Sequence, residues 1–372
     1  MKTYKILFAS LLLAQTIAAQ IPERPQTPKP PFNYSIEDIE FDNADKTVHY
    51  GATLTKPLNK KNFPTVILIS GSGAQDRDGT LFNHKLYWVV ADYLTKNGIA
   101  VLRIDDRGKG KTTVGPNPKE LTSLDFSYDI ETALTYLLNR VDIPKNKIGL
   151  IGHSEGGVIA PMLAARRKEI AFTVLWGAPI IGGLVTNTEQ NLLALKKANI
   201  DSTARQRFAE LHRAELNLYS YVSKENLPKA IDSVFSAWRL KLSPQEIKSL
   251  YVTDNMVVGQ PAQTMYMGLY NIPWMRFFIS YDPAKDLSKL KIPILGIIGA
   301  KDTQVSADEN LALIQKITEA SGNKKVMTMK MTDLNHLLQT AKTGELAEYE
   351  KITETISPLA LELITTWINK QK

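Results

Sequence analysis

The chain has 372 residues, 44% hydrophobic and 22% charged, which is enough for one large α/β domain with an insertion or for two domains, and excludes wholesale disorder. Its net charge of +7 comes from scattered lysines, with no basic block interleaved with aromatics, so a nucleic-acid groove is not expected. Cysteine is absent, which excludes disulfides, thiolate metal sites, a thiol nucleophile and a lipid-modified cysteine.

At the start, Lys2 and Lys5 precede the apolar run Ile6-Leu7-Phe8-Ala9-Ser10-Leu11-Leu12-Leu13-Ala14, and Ala18-Ala19 follow. These are the charged, apolar and cleavage regions of a secretory signal, so residues 1–19 are predicted to be a signal peptide and the protein to be exported, periplasmic or extracellular. The apolar run falls well short of the ~20 residues that a spanning helix needs. No later stretch supplies one, so no stable membrane span is expected after cleavage. Residues 20–34 carry Pro22, Pro25, Pro28, Pro30 and Pro31, the composition of an extended, solvated spacer.

Between Ile36 and Thr55, alternating patches suggest an antiparallel pair at a sheet edge. The rhythm then changes to short, nearly all-apolar runs: Thr65-Val66-Ile67-Leu68-Ile69, Ile99-Ala100-Val101-Leu102-Arg103-Ile104, Lys147-Ile148-Gly149-Leu150-Ile151, Ala171-Phe172-Thr173-Val174-Leu175-Trp176 and Ile292-Pro293-Ile294-Leu295-Gly296-Ile297-Ile298. Such runs are typical of parallel strands buried on both faces. Between them Ile130, Ala133, Leu134, Leu137 and Leu138 fall on one face of a helix. The alternation predicts a doubly wound, mostly parallel α/β sheet. Residues 183–284 interrupt it with long polar helical patterns and an aromatic and methionine-rich stretch. They are predicted to be a helical cap inserted into a core of residues 35–182 and 285–372. Met265, Tyr266, Met267, Tyr270, Trp274, Met275, Phe277 and Phe278 are candidates for an acyl or leaving-group pocket there, or for the cap's own core.

Gly152-His153-Ser154-Glu155-Gly156 stands between the strand run ending at Ile151 and a helical run beginning at Val158. That context reads as a nucleophile elbow, in which Gly152 and Gly156 let the chain turn sharply and hold the hydroxyl of Ser154 at the carboxyl edge of the sheet. A serine hydroxyl needs a base to take its proton, and the base needs an acid to fix its tautomer. Of five histidines, His336 alone follows a late strand pattern, Lys325-Val326-Met327-Thr328-Met329-Lys330-Met331, on a loop before a final helix. For the acid, Asp302 follows the Ile294 run on the loop at that strand's carboxyl end, where catalytic groups of open α/β sheets collect. Asp308 and Asp333 compete, as helix-start or loop residues.

With these residues the chain resembles an α/β-hydrolase of the carboxylesterase and serine aminopeptidase-like group, over residues 36–370. Three segments besides the serine, acid and histidine carry the resemblance: Ser70-Gly71-Ser72-Gly73-Ala74-Gln75-Asp76-Arg77-Asp78-Gly79, similar to the family's oxyanion loop; Asp105-Asp106-Arg107-Gly108-Lys109-Gly110-Lys111-Thr112, similar to its D-x-R-G-x-G segment; and the elbow with its extra glycine, Gly157. Many relatives begin the oxyanion loop with histidine where this chain has Ser70. The order Ser154, Asp302, His336 matches the family's nucleophile, acid, histidine order. The resemblance implies an oxyanion hole from the backbone N–H groups of Ser72 and Glu155, with Gly71 and Gly73 shaping the loop. Asp105, Arg107 and Gly108 read as an internal ion pair and a turn that brace the loops.

The expectation is therefore a serine hydrolase that cleaves small-molecule carboxylic esters through an acyl-enzyme, without cofactor or metal, since no histidine and carboxylate set has ligand spacing. The sequence specifies no oligomeric state. A serine aminopeptidase is the alternative, and would need to anchor a substrate ammonium on a cap acid such as Glu189, Glu210 or Glu215. A noncatalytic binding protein on the same scaffold is the second alternative.

Overall fold

The computed structural model describes residues 24–371, so the predicted signal peptide, residues 1–19, lies outside the described residues. The described residues divide into two compact units: Gly182–Asp282, and a second formed by the described residues up to Ile181 and from Pro283 onward.

In the second unit, eight strands form one sheet: β1 (Tyr34–Asp42), β2 (His49–Pro57), β3 (Thr65–Ile69), β4 (Ala100–Ile104), β5 (Ile148–His153), β6 (Ile170–Trp176), β7 (Ile294–Gly299) and β8 (Val326–Met331). Their spatial order is β1-β2-β4-β3-β5-β6-β7-β8. The edge pair is antiparallel, Tyr34 facing Pro57 and Asp42 facing His49, and β2 also runs antiparallel to β4. All remaining neighbours are parallel. Burial follows topology. β1 alternates along its length because its outer face meets water, whereas every residue of β3, β5 and β7 is buried, as helices on both faces require.

One helical layer contains α2 (Ser123–Asn139) and α3 (Gly156–Arg166), and the other contains α1 (Leu86–Lys96) and α13 (Pro358–Asn369). On α2 the stripe Ile130, Ala133, Leu134 and Leu137 packs with Ile159, Ala160 and Leu163 of α3 over Ile67, Leu102 and Leu150. Across the sheet, Val90 and Leu94 of α1 and Ile364 and Ile368 of α13 cover Val66, Ile151 and Trp176.

The Gly182–Asp282 unit is helical: α4 (Gly183–Lys197), α5 (Ser202–Asn217), α6 (Leu227–Arg239), α7 (Pro244–Ser249), α8 (Ala262–Tyr270) and α9 (Pro273–Ser280). It has a core of its own around Phe208, Leu211, Leu227, Ile231, Phe235 and Tyr266. Thus Met265 and Tyr266 are core, while Trp274 and Phe278 are half-buried and stacked at 5.4 Å. After it come α10 (Ala284–Leu287), α11 (Ala307–Ala320) and α12 (Leu346–Tyr349). Among the described residues no helix is long and apolar enough to cross a membrane.

The expectation of a solvated spacer over residues 20–34 needs correction where the structure describes it. Arg24 is only 6% exposed. Its guanidinium donates to the carbonyls of Phe82 (3.1 and 2.8 Å), Glu350 (2.8 Å) and Ile352 (2.6 Å). Gln26 accepts from the N–H groups of Thr355 and Ile356 and donates to the Ile356 carbonyl. Proline content predicts an extended, solvated backbone, but residues 24–27 close a turn, Thr27 N–H donating to the Arg24 carbonyl at 2.9 Å, and a five-donor guanidinium among bare carbonyls binds the segment to the fold.

Candidate functional site

β5 ends at His153, and α3 begins at Gly156 with Glu155 as its cap. On the turn between them Ser154 has φ 54°, the left-handed region, which a non-glycine residue occupies only when its surroundings enforce it. Here the Ser154 N–H donates to the Trp176 carbonyl (2.8 Å) and the Ser154 carbonyl accepts from Gly157 N–H (2.9 Å). The flanking glycines serve the turn by size, neither having a positive φ. A Cβ on Gly152 would stand 2.0 Å from the Gly156 carbonyl oxygen, and one on Gly156 2.4 Å from that of Ile69. Strand, turn and helix are thus in backbone contact, and the serine takes the conformational burden.

Asp302 lies just beyond β7, and His336 follows β8. The Asp302 Oδ2 is 2.7 Å from His336 Nδ1, and its Oδ1 accepts from the N–H groups of Gln304 (2.8 Å) and Val305 (2.9 Å). Both side chains are buried, at 0% and 4% exposure. This contact assigns the Nδ1 proton to the carboxylate side and leaves Nε2 as the basic nitrogen. Ser154 and His336 share neighbours. Trp176, whose carbonyl accepts from Ser154, donates its indole N–H to the His336 carbonyl at 3.1 Å, and the His153 ring lies 4.9 Å from that of His336. Gly177, with φ 57°, leaves room for the imidazole: a Cβ there would sit 3.0 Å from His336 Nδ1. The competing acids lie elsewhere, Asp308 exposed and paired with Lys330, Asp333 exposed and paired with Lys301.

The other histidines have local partners. His49 sits between Glu40 and Asp42 on the edge hairpin; His84 contacts Thr355 and the Tyr349 carbonyl; His212, in the helical unit, contacts Tyr266 and Asn187. His153 is buried between Tyr87, Trp176 and His336. Burial, reinforced by the neighbouring His336, holds its imidazole well below the ordinary histidine range. It stays neutral beside the other ring.

The loop after β3 passes directly over the elbow. A Cβ on Gly71 would lie 3.1 Å from Ser154 Cβ, and Gly71 N–H donates to the Tyr87 hydroxyl at 3.2 Å. Gly73 has φ 86° with open space around its Cβ position, so conformation, not crowding, selects glycine there. The expected ion pair within the Asp105 segment is instead two pairs reaching outward. Asp105 binds Arg77 on the loop (2.6 Å), and Arg107 binds Asp129 of α2 (2.7 Å). Sequence reading passed over Asp106, Tyr87 and Ser123. Asp106 bonds Ser70, Tyr87 bonds Gly71 and lies 3.2 Å from His153 Nδ1, and Ser123 donates to the buried Glu155 carboxylate at 2.6 Å. None of the three left a pattern in the sequence, because each acts through a residue distant along the chain or on another element. Among the described residues no group of three or more histidines or carboxylates is placed to hold a metal ion.

Similarity to known proteins agrees with this architecture. A family model described as the alpha/beta hydrolase fold matches residues 64–339. Esterase EstD of Thermotoga maritima is 26% identical over 305 residues, 82% of this chain; the chain spans only 61% of EstD's length. Among solved structures, the alpha/beta hydrolase GrgF from Penicillium sp. sh18 aligns with a TM-score of 0.53 at 15% identity, covering 91% of this chain and 99% of that one. A Pyrococcus furiosus esterase aligns with a TM-score of 0.50 at 15% identity, covering 91% and 92%. Because the family model runs from the start of β3 to just past His336, the chain belongs to the alpha/beta hydrolase fold family.

Proposed function

We propose that this protein is a serine hydrolase of small-molecule carboxylic esters, with Ser154 as nucleophile, His336 as base and Asp302 as the acid that orients it. The 2.7 Å contact between Asp302 and the Nδ1 of a histidine beside the elbow carries the reading. In this mechanism Ser154 Oγ bonds to the substrate carbonyl carbon while its proton passes to His336 Nε2. The carbonyl oxygen becomes an oxyanion between the N–H groups of Ser72 and Glu155, the latter at the N-terminus of α3, where the helix dipole favours negative charge. As the intermediate collapses, the ester C–O bond breaks and His336 returns the proton to the departing alcohol. Water then attacks the acyl-enzyme by the same route, releasing the acid and restoring Ser154. Similarity to an esterase supports ester rather than amide chemistry. Export directed by residues 1–19 is part of the proposal.

The aminopeptidase alternative finds less support. Glu210 is paired with Arg207, and Glu215 is fully buried, with its carboxyl pushed up to about 9 by desolvation. That leaves Glu189 of α4, half-buried, as the third cap acid such an anchor could use. The test is hydrolysis of p-nitrophenyl acyl esters against aminoacyl anilides, with fluorophosphonate labelling of wild type and Ser154→Ala. Expected are faster ester turnover, labelling of the wild type alone, and a loss of about 10⁶ in kcat for Ser154→Ala. Faster anilide turnover would favour the aminopeptidase. Absence of both turnover and labelling in the wild type would favour a binding protein.

A further inference from the structure

Two adjacent acids after β4 grip the loop between β3 and α1 at different points. Asp105 holds its far side, accepting from Arg77 N–H (2.8 Å), Nε (3.0 Å) and Nη2 (2.6 Å). Asp106 holds the part nearest the elbow. Both its oxygens accept from Ser70 Oγ at 2.8 Å, its Oδ2 accepts from Gln75 N–H at 2.8 Å, and its own N–H donates to the Gln75 carbonyl at 3.0 Å. Residues 70 and 75 are therefore tied to one side chain, and Ser72 lies between them. Gln75 closes the loop internally by donating Nε2–H to the Gly71 carbonyl at 3.2 Å. Gly71 in turn abuts the nucleophile, its Cβ position being 3.1 Å from Ser154 Cβ. A shift of this loop would move the Ser72 N–H and the surface beside Ser154 together.

Resting on the serine hydrolase reading above, we propose that the ionised carboxylate of Asp106 is a positioning residue for oxyanion stabilisation, fixing loop 70–75 so that the Ser72 N–H stays aimed at the developing charge. The bonds that do this are charge-assisted, and protonation would roughly halve their strength and turn one oxygen into a donor facing the Ser70 hydroxyl. The surroundings make protonation accessible. Burial pushes the Asp106 carboxyl up to about 7, and the carboxylates of Glu155 on the elbow and Asp129 on α2 add to that, against the bonds from Gln75 and Ser70. Tyr87 of α1 faces it as a neutral phenol, and its chain neighbours Asp105 and Arg107 are each paired, with Arg77 and Asp129. Ester hydrolysis is therefore fastest with the Asp106 carboxylate ionised.

The experiment is steady-state hydrolysis of p-nitrophenyl acetate across pH by wild type, Asp106→Asn and Ser70→Ala, with thermal unfolding of each. The wild type is expected to lose kcat/KM by about ten- to a hundredfold as Asp106 takes up its proton near pH 7, on top of any acid loss that Asp106→Asn also shows. Asp106→Asn should lower kcat at pH 8 by ten- to a hundredfold, about the loss of one oxyanion donor, with KM within about threefold, and the step near pH 7 should be absent from its acid limb. Ser70→Ala, which keeps the carboxylate but removes a tether, should lower kcat by roughly three- to tenfold with KM unchanged, and it decides the matter if Asp106→Asn does not fold. Wild-type kcat in either folded variant, or an acid limb in Asp106→Asn unchanged from the wild type, would overturn the assignment of Asp106 while leaving the hydrolase reading intact. A wild type that neither turns over esters nor reacts with a fluorophosphonate would remove the reading and this inference together.

Discussion

Glu215 gives the sharpest test of the energetics. It lies on α5 in the helical unit, 0% exposed, with neither carboxyl oxygen hydrogen-bonded among the described residues. Desolvation, helped by Asp232 on α6, raises its pKa from 4.5 to about 9. The native unit thus keeps a proton that the unfolded chain releases above pH 4.5, so stability falls as pH rises from 4.5 through about 9. The slope in that window is about 1.4 kcal/mol per pH unit. Between pH 5 and 8 the accumulated loss is on the order of 4 kcal/mol. Glu215→Gln does not titrate, so its stability relative to wild type should rise by that amount over the same interval, whatever constant cost the buried amide adds. His212, whose burial lowers its pKa to about 4, affects both proteins equally and cancels. Urea unfolding of the full chain at pH 5, 6, 7 and 8, followed by tryptophan fluorescence, measures the difference, with Trp238 and Trp274 reporting on this unit. A difference that stays constant with pH would refute the claim that Glu215 is buried as a neutral acid.

Asp302→Asn should keep the fold but turn an amide N–H toward His336 Nδ1, forcing the proton onto Nε2; kcat should fall by about 10⁴ with KM little changed, and a loss under tenfold in ester assays would contradict the proposed role. Gly152→Ala puts a methyl 2.0 Å from the Gly156 carbonyl oxygen, an overpacking against backbone that should cost at least 1–3 kcal/mol and abolish fluorophosphonate labelling; a wild-type Tm would show that the elbow can spread. Arg24→Ala leaves the carbonyls of Phe82, Glu350 and Ile352 without their donor, which should cost about 1–3 kcal/mol and lower Tm while kcat is retained; an unchanged Tm would mean that water replaces the guanidinium fully.

Much of this was legible in the residues themselves. Buried parallel strands announce themselves as apolar runs because no face meets water, and the elbow stood out because its glycines lie between such a strand and a helix. Glu215 was legible in principle: with Phe208, Leu211, His212 and Leu216 it completes an i, i+3, i+4, i+7, i+8 stripe on α5. Charge suggested a surface position, and periodicity was the better guide. Asp106 was not legible, because its meaning comes from Ser70 and Gln75, which lie 36 and 31 residues away. A carboxylate held by a hydroxyl and a backbone amide has no pattern in the sequence. Why the elbow needs its glycines was hidden for a related reason, since crowding between distant backbone segments is a property of the assembled sheet.

The grip of Arg24 on carbonyls 326 and 328 residues further along sets an order of events. During synthesis the Phe82 carbonyl follows the donor by 58 residues, but its other two acceptors come far later, so the N-terminal strap cannot lock fully until the stretch leading into α13 has been made. A chain interrupted before residue 350 would keep only the Phe82 carbonyl as a partner for the guanidinium, a weaker hold on that end of the polypeptide.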